Sequence, residues 1–509
     1  MLKKLTNFIF QFGYFLILAL AAILLFFLGL QIFFSHSYIP LEIAEGIRFE
    51  NNPLIFYPLL LAFLGLLILS RFWLNKLTAP KLFIFLSLFY LLAAAYLIIN
   101  SSGLIRADAK HVFNAALAFN RGDYSSLTTL GGYMYRNPHQ LGLMSLERLY
   151  ALISPTSQFI FSINLVWIIL SNFLIYRITA KLNKDELVHK YTILLTFLFF
   201  PQFFFILFAY GTIPGFFFCL LGFYLLLLFN DKPSFHYGLL AAISLSIACL
   251  LRNNYIIFVL MVLGIYFLSL FQTWSFKKLL LLGTILACLF LSGKAINRYY
   301  EDLVGHTIGE GTPKIAYVTM GLRDDPNRKT LGGWYDAYNT KILKRNGYDE
   351  KKAEQMAIQD LKQLLLNFLK NPSYALRFFY EKVKSTWTEP TFQSIWTGPQ
   401  LERQQYTATP LLRSIYEEKE GYQRLNLFGL VLLSSIYLLT SCFLLYQIFW
   451  AQKSLSVFEL YPYVFFLGGF FFHFFWETKS QYVYIYILLL LPTAAQVLSL
   501  NKQKLTRQN

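Results

Sequence analysis

Glu477 and Lys479 interrupt an otherwise apolar stretch near the C-terminus, FFFHFFWETKSQYVYIYILLLLP, which runs from Phe470 to Pro492. A carboxylate and an ammonium at the end of a membrane helix can form a solvated charge cluster in a turn, or they can bind a ligand. The stretch by itself fits both interpretations. Other charged groups on the same side of the membrane must decide between them.

A second acid, Asp108, lies in IRADAKHVFNAALAF, residues 105–119. The apolar residues of this segment recur at helical spacing, whereas Asp108, His111 and Asn114 share another face. The pattern predicts a helix that lies along the membrane surface with its polar stripe turned away from lipid. An ordinary amphipathic connector would explain the apolar spacing, but it gives no reason for an acid so close to the membrane.

A permanent cation, Arg252, stands within ACLLRNNYIIF. The hydrophobic run on either side of it is too long for one membrane helix and fits two short helices, which predicts a tight turn at Arg252-Asn253-Asn254. An arginine at this depth can extend to lipid head groups, or it can bind a phosphate between helices.

These residues suggest transfer of a group from a phosphate leaving group, provided that Asp108, Arg252 and Lys479 meet in one outer cavity. The carboxylate would accept a proton from the acceptor hydroxyl, and the two cations would stabilise the departing phosphate. The sequence has no GxxxxGK[ST] pattern for a nucleotide. The interpretation therefore favours a lipid-linked phosphate as donor.

The elements that must position these groups are membrane helices. Hydrophobic residues make up 56% of the 509 residues, charged residues only 14%, and the mean hydropathy is +0.49. This composition predicts an all-α polytopic membrane protein. Twelve apolar segments approach the length that spans a bilayer: 12–34, 54–70, 82–100, 157–176, 191–208, 212–229, 236–251, 254–271, 279–294, 425–449, 460–475 and 481–498.

The lysines and arginines of the short loops predict the orientation of these segments. A cytoplasmic N-terminus places sixteen of them inside: Lys3, Lys4, Arg71, Lys76, Lys81, Arg177, Lys181, Lys184, Lys190, Lys232, Lys277, Lys278, Lys453, Lys502, Lys504 and Arg507. Only three, Arg48, Arg252 and Lys479, then lie in short outer loops. Both termini are therefore predicted to be cytoplasmic. The same count accounts for much of the net charge of +17, so no nucleic-acid partner is required.

This topology predicts three regions. Residues 1–298 form an N-terminal membrane region with a first outer loop at 101–156, residues 299–424 an extracytoplasmic module, and residues 425–509 a C-terminal membrane region. Within the first outer loop, Asn137 and Pro138 are predicted to begin a second surface helix. In the module, helices are predicted up to Asn371-Pro372 and from Ser373 to Trp387.

Metal binding has weak support in the sequence. Asp324, Asp325 and Asp336 lie in a turn-rich part of the outer module and could bind a divalent cation, but an exposed acidic turn is the simpler interpretation. No strong metal-ligand spacing is present, so no cofactor is predicted apart from that possible cation.

Several of these segments resemble the GT-C superfamily of membrane glycosyltransferases, in particular the bacterial family 39 or dolichyl-phosphate-mannose-protein mannosyltransferase-like group. The resemblance rests on Asp108 at the start of a surface helix, on FNRGDYSSL, GGYMYRNPHQLGL and the closing WETKSQYVYIYILLLLP, and on two outer segments that look like those of Gram-positive members, YVTMGLRDDPNRKTLGGWYDAY and NPSYALRFFYEKVKSTWTEPTF. It covers the chain from about residue 80 to its end.

The resemblance implies an active site on the outer face of a bacterial plasma membrane, with a polyprenyl-phosphate sugar as donor. Asp108 matches the superfamily's catalytic base, with Asp123 as second choice. Arg252 and Lys479 match the basic residues at the donor phosphate, and Glu477 would orient Lys479 or the acceptor. Four further residues are expected along the lipid or acceptor groove: Tyr482, Tyr484, His139 and Gln140. The acid follows the third apparent span here, whereas many relatives place it after the first.

Two other functions fit the same features. A transporter or flippase of a lipid-linked saccharide would also need many spans and an anionic-lipid groove, although the large outer loop and the lack of an evident repeat between halves favour the enzyme. A noncatalytic envelope-assembly protein would leave Asp108 dispensable. The acceptor stays open among wall polymers such as teichoic acids, glycolipids and secreted proteins, and the sugar between hexoses and pentoses.

Overall fold

The computed structural model describes residues 2–42, 44–325, 330–399, 408–451 and 454–500, and about 76% of the structure is helical. The α-helices are α1 Leu2–Phe34, α2 Phe56–Leu74, α3 Ala79–Asn100, α4 Ala107–Phe119, α5 Ser125–Thr128, α6 Tyr133–Arg136, α7 Leu141–Ile153, α8 Ser157–Leu182, α9 Glu186–Leu198, α10 Pro201–Phe204, α11 Thr212–Asp231, α12 Phe235–Leu251, α13 Ile256–Gln272, α14 Phe276–Val304, α15 Lys314–Gly321, α16 Tyr338–Arg345, α17 Glu350–Lys370, α18 Pro372–Trp387, α19 Pro410–Tyr416, α20 Glu420–Phe449, α21 Tyr461–Phe475, α22 Tyr484–Leu488 and α23 Leu491–Ser499. Short 3-10 helices lie at Pro138–Gln140, Phe205–Leu207, Asn253–Tyr255, Val457–Leu460 and Ser480–Tyr482.

Long apolar helices dominate the part of the chain that the structure describes. Nine are long and apolar enough to cross a membrane, or ten if α9 and the helical segment 201–207, which meet at a 50° bend, count as one span. Two shorter apolar helical segments, Phe235–Leu251 and Tyr484–Ser499, complete the set. A multi-pass, mainly helical membrane protein is thereby confirmed. Each predicted apolar segment coincides with a helical region, but the count of twelve spans stays a prediction.

Prolines set two of the irregularities. Pro201 follows the bend after α9, where its missing N–H and fixed φ stop the preceding helix from continuing. Pro214 lies in the first turn of α11, where its backbone nitrogen would have no intrahelical partner in any case. The sixth apolar segment therefore continues as one helix, whereas the fifth is broken.

A β-hairpin between α1 and α2 departs from the predicted all-α fold. Ser35–Tyr38 (β1) and Arg48–Asn51 (β2) pair antiparallel, with Ser35 opposite Asn51 and Tyr38 opposite Arg48. The strands are only four residues each, too short for a hydrophobic alternation that would reveal them in the sequence. The hairpin brings residues 39–42 and 44–47 to the start of α20, where the Tyr422 hydroxyl donates to the Ile39 carbonyl at 2.6 Å.

The first large loop folds into the two predicted surface helices, α4 and α7, which pack on each other. The second begins differently from the prediction. Residues 138–140 form a 3-10 turn before α7, and Asn137 caps neither element with its side chain. Its Nδ2 donates instead to the Tyr133 carbonyl at 3.0 Å. The extra turn changes the direction of the chain before α7 starts.

Helices α15 to α18 form the core of the large loop. The Asp349 side chain accepts a hydrogen bond from the Lys352 N–H at 3.0 Å and caps α17, which ends at Lys370 before Asn371-Pro372. Helix α18 then runs from Pro372 to Trp387, one residue longer than predicted. Residues 388–398 are all buried against the membrane helices. For example, the Phe392 and Phe199 rings lie 5.7 Å apart.

Candidate functional site

A cleft opens where the hairpin, the two large loops and the last membrane helices meet. It contains about 390 Å³ of empty space including its open mouth, and it is lined by Glu45, Arg106, Ala107, Asp108, Ala109, Phe208, Tyr210, Trp396, Thr397, Lys479, Gln481 and Tyr482. The structure thus brings together Asp108 and Lys479, which are 371 residues apart in the sequence (479 − 108). We call this space the Asp108 cleft.

Asp108 belongs to the first turn of α4 and is exposed to the cleft. A carboxylate in the first turn is favoured by the partial positive charge of the helix N-terminus. Ala107 adopts a left-handed backbone conformation with φ of 49°, which is unusual for a residue with a Cβ. The Arg106 guanidinium lies 3.6 Å from the centre of the Trp396 ring and also donates to the Trp396 carbonyl. These contacts fix the start of α4 and thereby the position of Asp108.

Lys479 lies opposite a carboxylate that the sequence analysis missed. Its Nζ is 2.6 Å from Glu45 Oε1, and the two side chains are only 12% and 11% exposed. Burial lowers the pKa of Lys479, but the negative charges of Glu45 and Glu477 outweigh that effect and raise it above its ordinary value. Glu45 thus makes the direct contact with Lys479, while Glu477 acts on it electrostatically, and the prediction that Glu477 orients Lys479 or the acceptor stays a prediction.

The segment from Trp476 to Tyr482 is held firmly by its backbone. The Glu477 N–H donates to the Tyr317 carbonyl at 3.1 Å, and the Thr478 N–H donates to the Gly333 carbonyl at 3.0 Å. The Ser480 hydroxyl donates to the buried carboxylate of Glu389 at 2.9 Å. Gly321 packs so closely on Trp476 and Glu477 that a side chain there would clash with their backbone. The large loop between α14 and α20 thus fixes the segment that carries Lys479.

The Arg252 side chain lies beside the Asp108 cleft, against two aromatic rings that line it. Its guanidinium carbon lies 5.1 Å from the centre of the Tyr210 ring and 5.0 Å from that of Tyr482, and both tyrosines line the cleft. The guanidinium also donates to the Thr212 hydroxyl. Gln140 Nε2 donates to the Tyr210 hydroxyl at 2.5 Å. Arg252 is therefore held beside the cleft in a fixed orientation, between two of its lining rings.

The negative charge of Asp108 acts on the phenols around it. Burial, and then the Asp108 carboxylate, raise the pKa of Tyr210 and of Tyr133 above the ordinary value. These tyrosines remain protonated at neutral pH, so they can donate hydrogen bonds. The cleft therefore combines the carboxylates of Asp108 and Glu45, the cations Arg106 and Lys479, and neutral phenols, with Arg252 beside it.

The remaining predicted residues divide between the cleft and other places. Tyr482 lines the cleft, and His139 and Gln140 lie together in the 3-10 turn before α7. Tyr484 is buried, with its ring 4.6 Å from that of Phe205, and it does not line the Asp108 cleft, so the groove position predicted for it stays a prediction. The chain turns inward after Tyr482 to begin α22. Asp123 is exposed outside the cleft and accepts a hydrogen bond from the Ser125 N–H at 2.9 Å.

Glu45, Trp396 and Thr397 are cleft residues that sequence reasoning missed. Glu45 carried one signal, an acid in a short outer loop, which is the feature that singled out Glu477. Trp396 and Thr397 carried none, because their place depends on the burial of residues 388–398 between distant helices.

Of the predicted acidic turn, Asp336 is buried and its carboxylate accepts a hydrogen bond from Arg323 at 3.1 Å. Within the described ranges, no three His, Cys, Asp or Glu residues are placed to hold a metal ion.

Burial of the Glu477 carboxyl group is expected to make the stability of the folded protein depend on pH. It is 6% exposed, and burial raises its pKa to about 7 from the ordinary 4.5, with Lys479 acting in the opposite direction. The folded protein keeps a proton on Glu477 that the unfolded chain loses, so the free energy of unfolding falls as pH rises between these values. The loss is at most about 3 kcal/mol.

We expect Glu477→Gln to remove this dependence, since the amide does not titrate. Thermal unfolding of both proteins in nanodiscs at pH 5 and pH 8 measures it, and the variant should gain stability over the wild type at pH 8. Glu50→Gln is the control, because Glu50 pairs with Arg48 at an exposed site. Equal changes in both variants would contradict the assignment.

The Lys382 side chain is expected to contribute strongly to the stability of the fold. It is 1% exposed, and its ammonium donates to the carbonyls of Gly321 at 2.5 Å, Phe474 at 3.0 Å and Trp476 at 2.9 Å. Its three protons are thus matched by carbonyls at the C-terminal ends of α15 and α21. One side chain thereby ties the large loop that contains α15 to α18 to the Trp476–Tyr482 segment.

We expect Lys382→Met to lower the unfolding temperature clearly, because each buried carbonyl left without a donor costs about 1–3 kcal/mol. Differential scanning fluorimetry of the protein in nanodiscs measures the change. Lys362→Met, at an exposed position of α17, should be neutral. An unfolding temperature that is equal in both variants would show that the three hydrogen bonds contribute little.

The comparisons with known proteins do not assign the chain to a family: no family model matches it, and no curated protein matches it.

Proposed function

We propose that the protein is a GT-C-type membrane glycosyltransferase, which transfers a sugar from a polyprenyl-phosphate donor to a cell-envelope acceptor at the outer face of a bacterial plasma membrane. The observation that carries this proposal is the Asp108 cleft. It combines the exposed Asp108 carboxylate with the mostly buried Lys479 ammonium, and the Arg252 guanidinium lies over two of its lining rings. A base and a phosphate-binding pair are the groups that this chemistry needs.

Asp108 acts as the general base. Its carboxylate accepts the proton of the acceptor hydroxyl, and the hydroxyl oxygen forms a bond to the anomeric carbon of the donor sugar. The bond from that carbon to the phosphate oxygen breaks, and its electron pair leaves with the polyprenyl phosphate. Lys479 and Arg252 stabilise the charge that develops on this phosphate. The product keeps the sugar on the acceptor oxygen.

The proposed topology has twelve spans and cytoplasmic termini. It counts the bent pair α9 and α10 and the shorter segments Phe235–Leu251 and Tyr484–Ser499 as spans, in addition to the nine long helices of the described chain. All segments that line the Asp108 cleft fall in loops predicted outside or at the helix ends next to them. This arrangement supports an outer active site that a lipid-linked donor can reach from the membrane.

The aromatic lining supports a lipid-linked sugar as ligand. Phe208, Tyr210, Trp396 and Tyr482 offer flat apolar surfaces beside the charged groups. Ligand sites commonly combine apolar walls with a few polar groups that fix orientation. A sugar ring or the first isoprene unit would pack on these rings while the phosphate contacts the cations.

A transfer assay tests the proposal. The purified protein in proteoliposomes is supplied with polyprenyl-phosphate sugars carrying a radiolabel in the sugar and with an envelope extract as acceptor. The proposal requires label in the acceptor and release of unglycosylated polyprenyl phosphate in equal amount. Movement of labelled lipid between leaflets without either product would instead support a flippase.

A further inference from the structure

Glu45 occupies the position on Lys479 that an incoming phosphate needs. Its carboxylate contacts the Lys479 ammonium at 2.6 Å, and both residues line the Asp108 cleft. Carboxylate and phosphate oxygens are both acceptors for an ammonium, which binds either as a compact point charge. An anion that enters the cleft therefore meets a cation that already has a counterion.

The charges around Lys479 make simultaneous binding unfavourable. Three carboxyl groups, those of Glu45, Glu477 and Asp108, act electrostatically on Lys479. Among the described ion pairs, Lys479 is the only cation in direct contact with Glu45. A phosphate would add at least one more negative charge in a poorly solvated space. Two anions that share one ammonium repel each other strongly when water is excluded. A phosphate therefore pairs with Lys479 more favourably once the Glu45 carboxylate has moved away.

The loop that carries Glu45 is anchored at its ends. The Tyr422 hydroxyl donates to the Ile39 carbonyl at 2.6 Å, the Leu41 N–H donates to Glu418 at 3.0 Å, and Trp396 donates to the Glu42 carbonyl at 3.1 Å. Strand β2 fixes the other end from Arg48 onward. Glu45 lies between these anchors, so its side chain can leave Lys479 while the hairpin stays paired.

We propose that residues 44–46 form an anionic latch, in which the Glu45 carboxylate holds Lys479 in the empty site and is displaced by the phosphate of the donor. The latch rests on the proposed function for the identity of its ligand. The latch makes Glu45 a determinant of the affinity for anionic ligands. The residue competes with anionic ligands, and removing its charge strengthens their binding.

A binding experiment with a double-mutant cycle tests the latch. The full-length protein in phosphatidylcholine nanodiscs is titrated with polyprenyl phosphate, and in parallel with inorganic phosphate. We expect Glu45→Gln to bind polyprenyl phosphate about tenfold more tightly than the wild type, because the competing charge is gone. Glu50→Gln, on the same hairpin, should bind like the wild type. A matching gain with inorganic phosphate would identify the free anion, rather than the lipid, as sufficient.

The cycle separates competition from simple repulsion. If Glu45 competes for Lys479, Glu45→Gln should have less than about a twofold effect in a Lys479→Met background. An equal or larger effect there would mean that Glu45 only repels the ligand, and it would overturn the latch. Unchanged or weaker binding by Glu45→Gln, or no binding by either protein, would also overturn it.

A second measurement needs no variant. Backbone hydrogen exchange in residues 39–47 of the wild type should accelerate when polyprenyl phosphate is added, and slower or unchanged exchange would contradict displacement. The transfer assay stays independent of these results. Tighter binding without any sugar transfer would keep the latch and reject the enzyme, and transfer with unchanged binding would do the opposite.

Discussion

Asp108→Asn is expected to lower kcat of sugar transfer by about 10²–10⁴-fold, the usual contribution of a positioned general base. The amide keeps the size of the side chain but cannot take the proton of the acceptor hydroxyl. Asp108 is exposed to the cleft in the first turn of α4, so the substitution should leave folding intact. Donor binding should remain, since the proposed mechanism assigns the phosphate contacts to Lys479 and Arg252. Initial rates and donor binding in nanodiscs measure both quantities.

Asp123→Asn is the matched control for this prediction. Asp123 follows the same surface helix but lies exposed outside the cleft, next to Ser125. Its replacement should change kcat by less than about twofold. Unchanged turnover of Asp108→Asn together with a loss in Asp123→Asn would reverse the assignment of the base.

Lys479→Met is the second substitution with a large expected effect. Removing one preorganised charge that stabilises the leaving group costs about 10²–10³-fold in rate. It also leaves the poorly exposed Glu45 carboxylate without its counterion, which destabilises the folded protein. The double variant Glu45→Gln/Lys479→Met avoids this second effect. We expect it to regain the wild-type unfolding temperature but not the rate of transfer.

Lys110→Met controls for a general loss of positive charge. Lys110 is exposed on α4, two residues after Asp108. Its removal should alter the kinetics only slightly. If both lysine variants lost the same amount of activity, the effect would reflect the overall potential of the surface rather than a contact between Lys479 and the donor phosphate.

The sequence was sufficient for the elements that local patterns determine. Helices such as α3, α8 and α20 follow from long apolar runs, and α4 and α17 follow from apolar residues at helical spacing. The break at Pro201 also has a local cause. The number of spans could not be derived from the sequence in this way, because α12 and α23 are shorter than the helix of about 20 residues that usually crosses a bilayer.

The cleft depended on contacts that no local pattern encodes. Glu45 and Lys479 are 434 residues apart, and Arg106 and Trp396 are 290 residues apart. Their meeting requires the hairpin to fold over the bundle and residues 388–398 to enter it. The sequence analysis selected Asp108, Lys479 and Arg252 because charged groups near a membrane are costly without a role. Such reasoning identifies candidates but cannot assign their partners, as the unpredicted contact between Lys479 and Glu45 shows.

The most direct measurement is a structure of Asp108→Asn in nanodiscs with a polyprenyl-phosphate sugar bound. We expect the donor phosphate within hydrogen-bond distance, about 3 Å, of Lys479 Nζ, with Glu45 withdrawn and the anomeric carbon facing residue 108. Binding of the phosphate elsewhere would contradict the account. One such place is a separate cavity whose lining includes Lys181, Asp231 and Glu459, and a phosphate there with the Glu45–Lys479 pair intact would show that the Asp108 cleft is not the donor site.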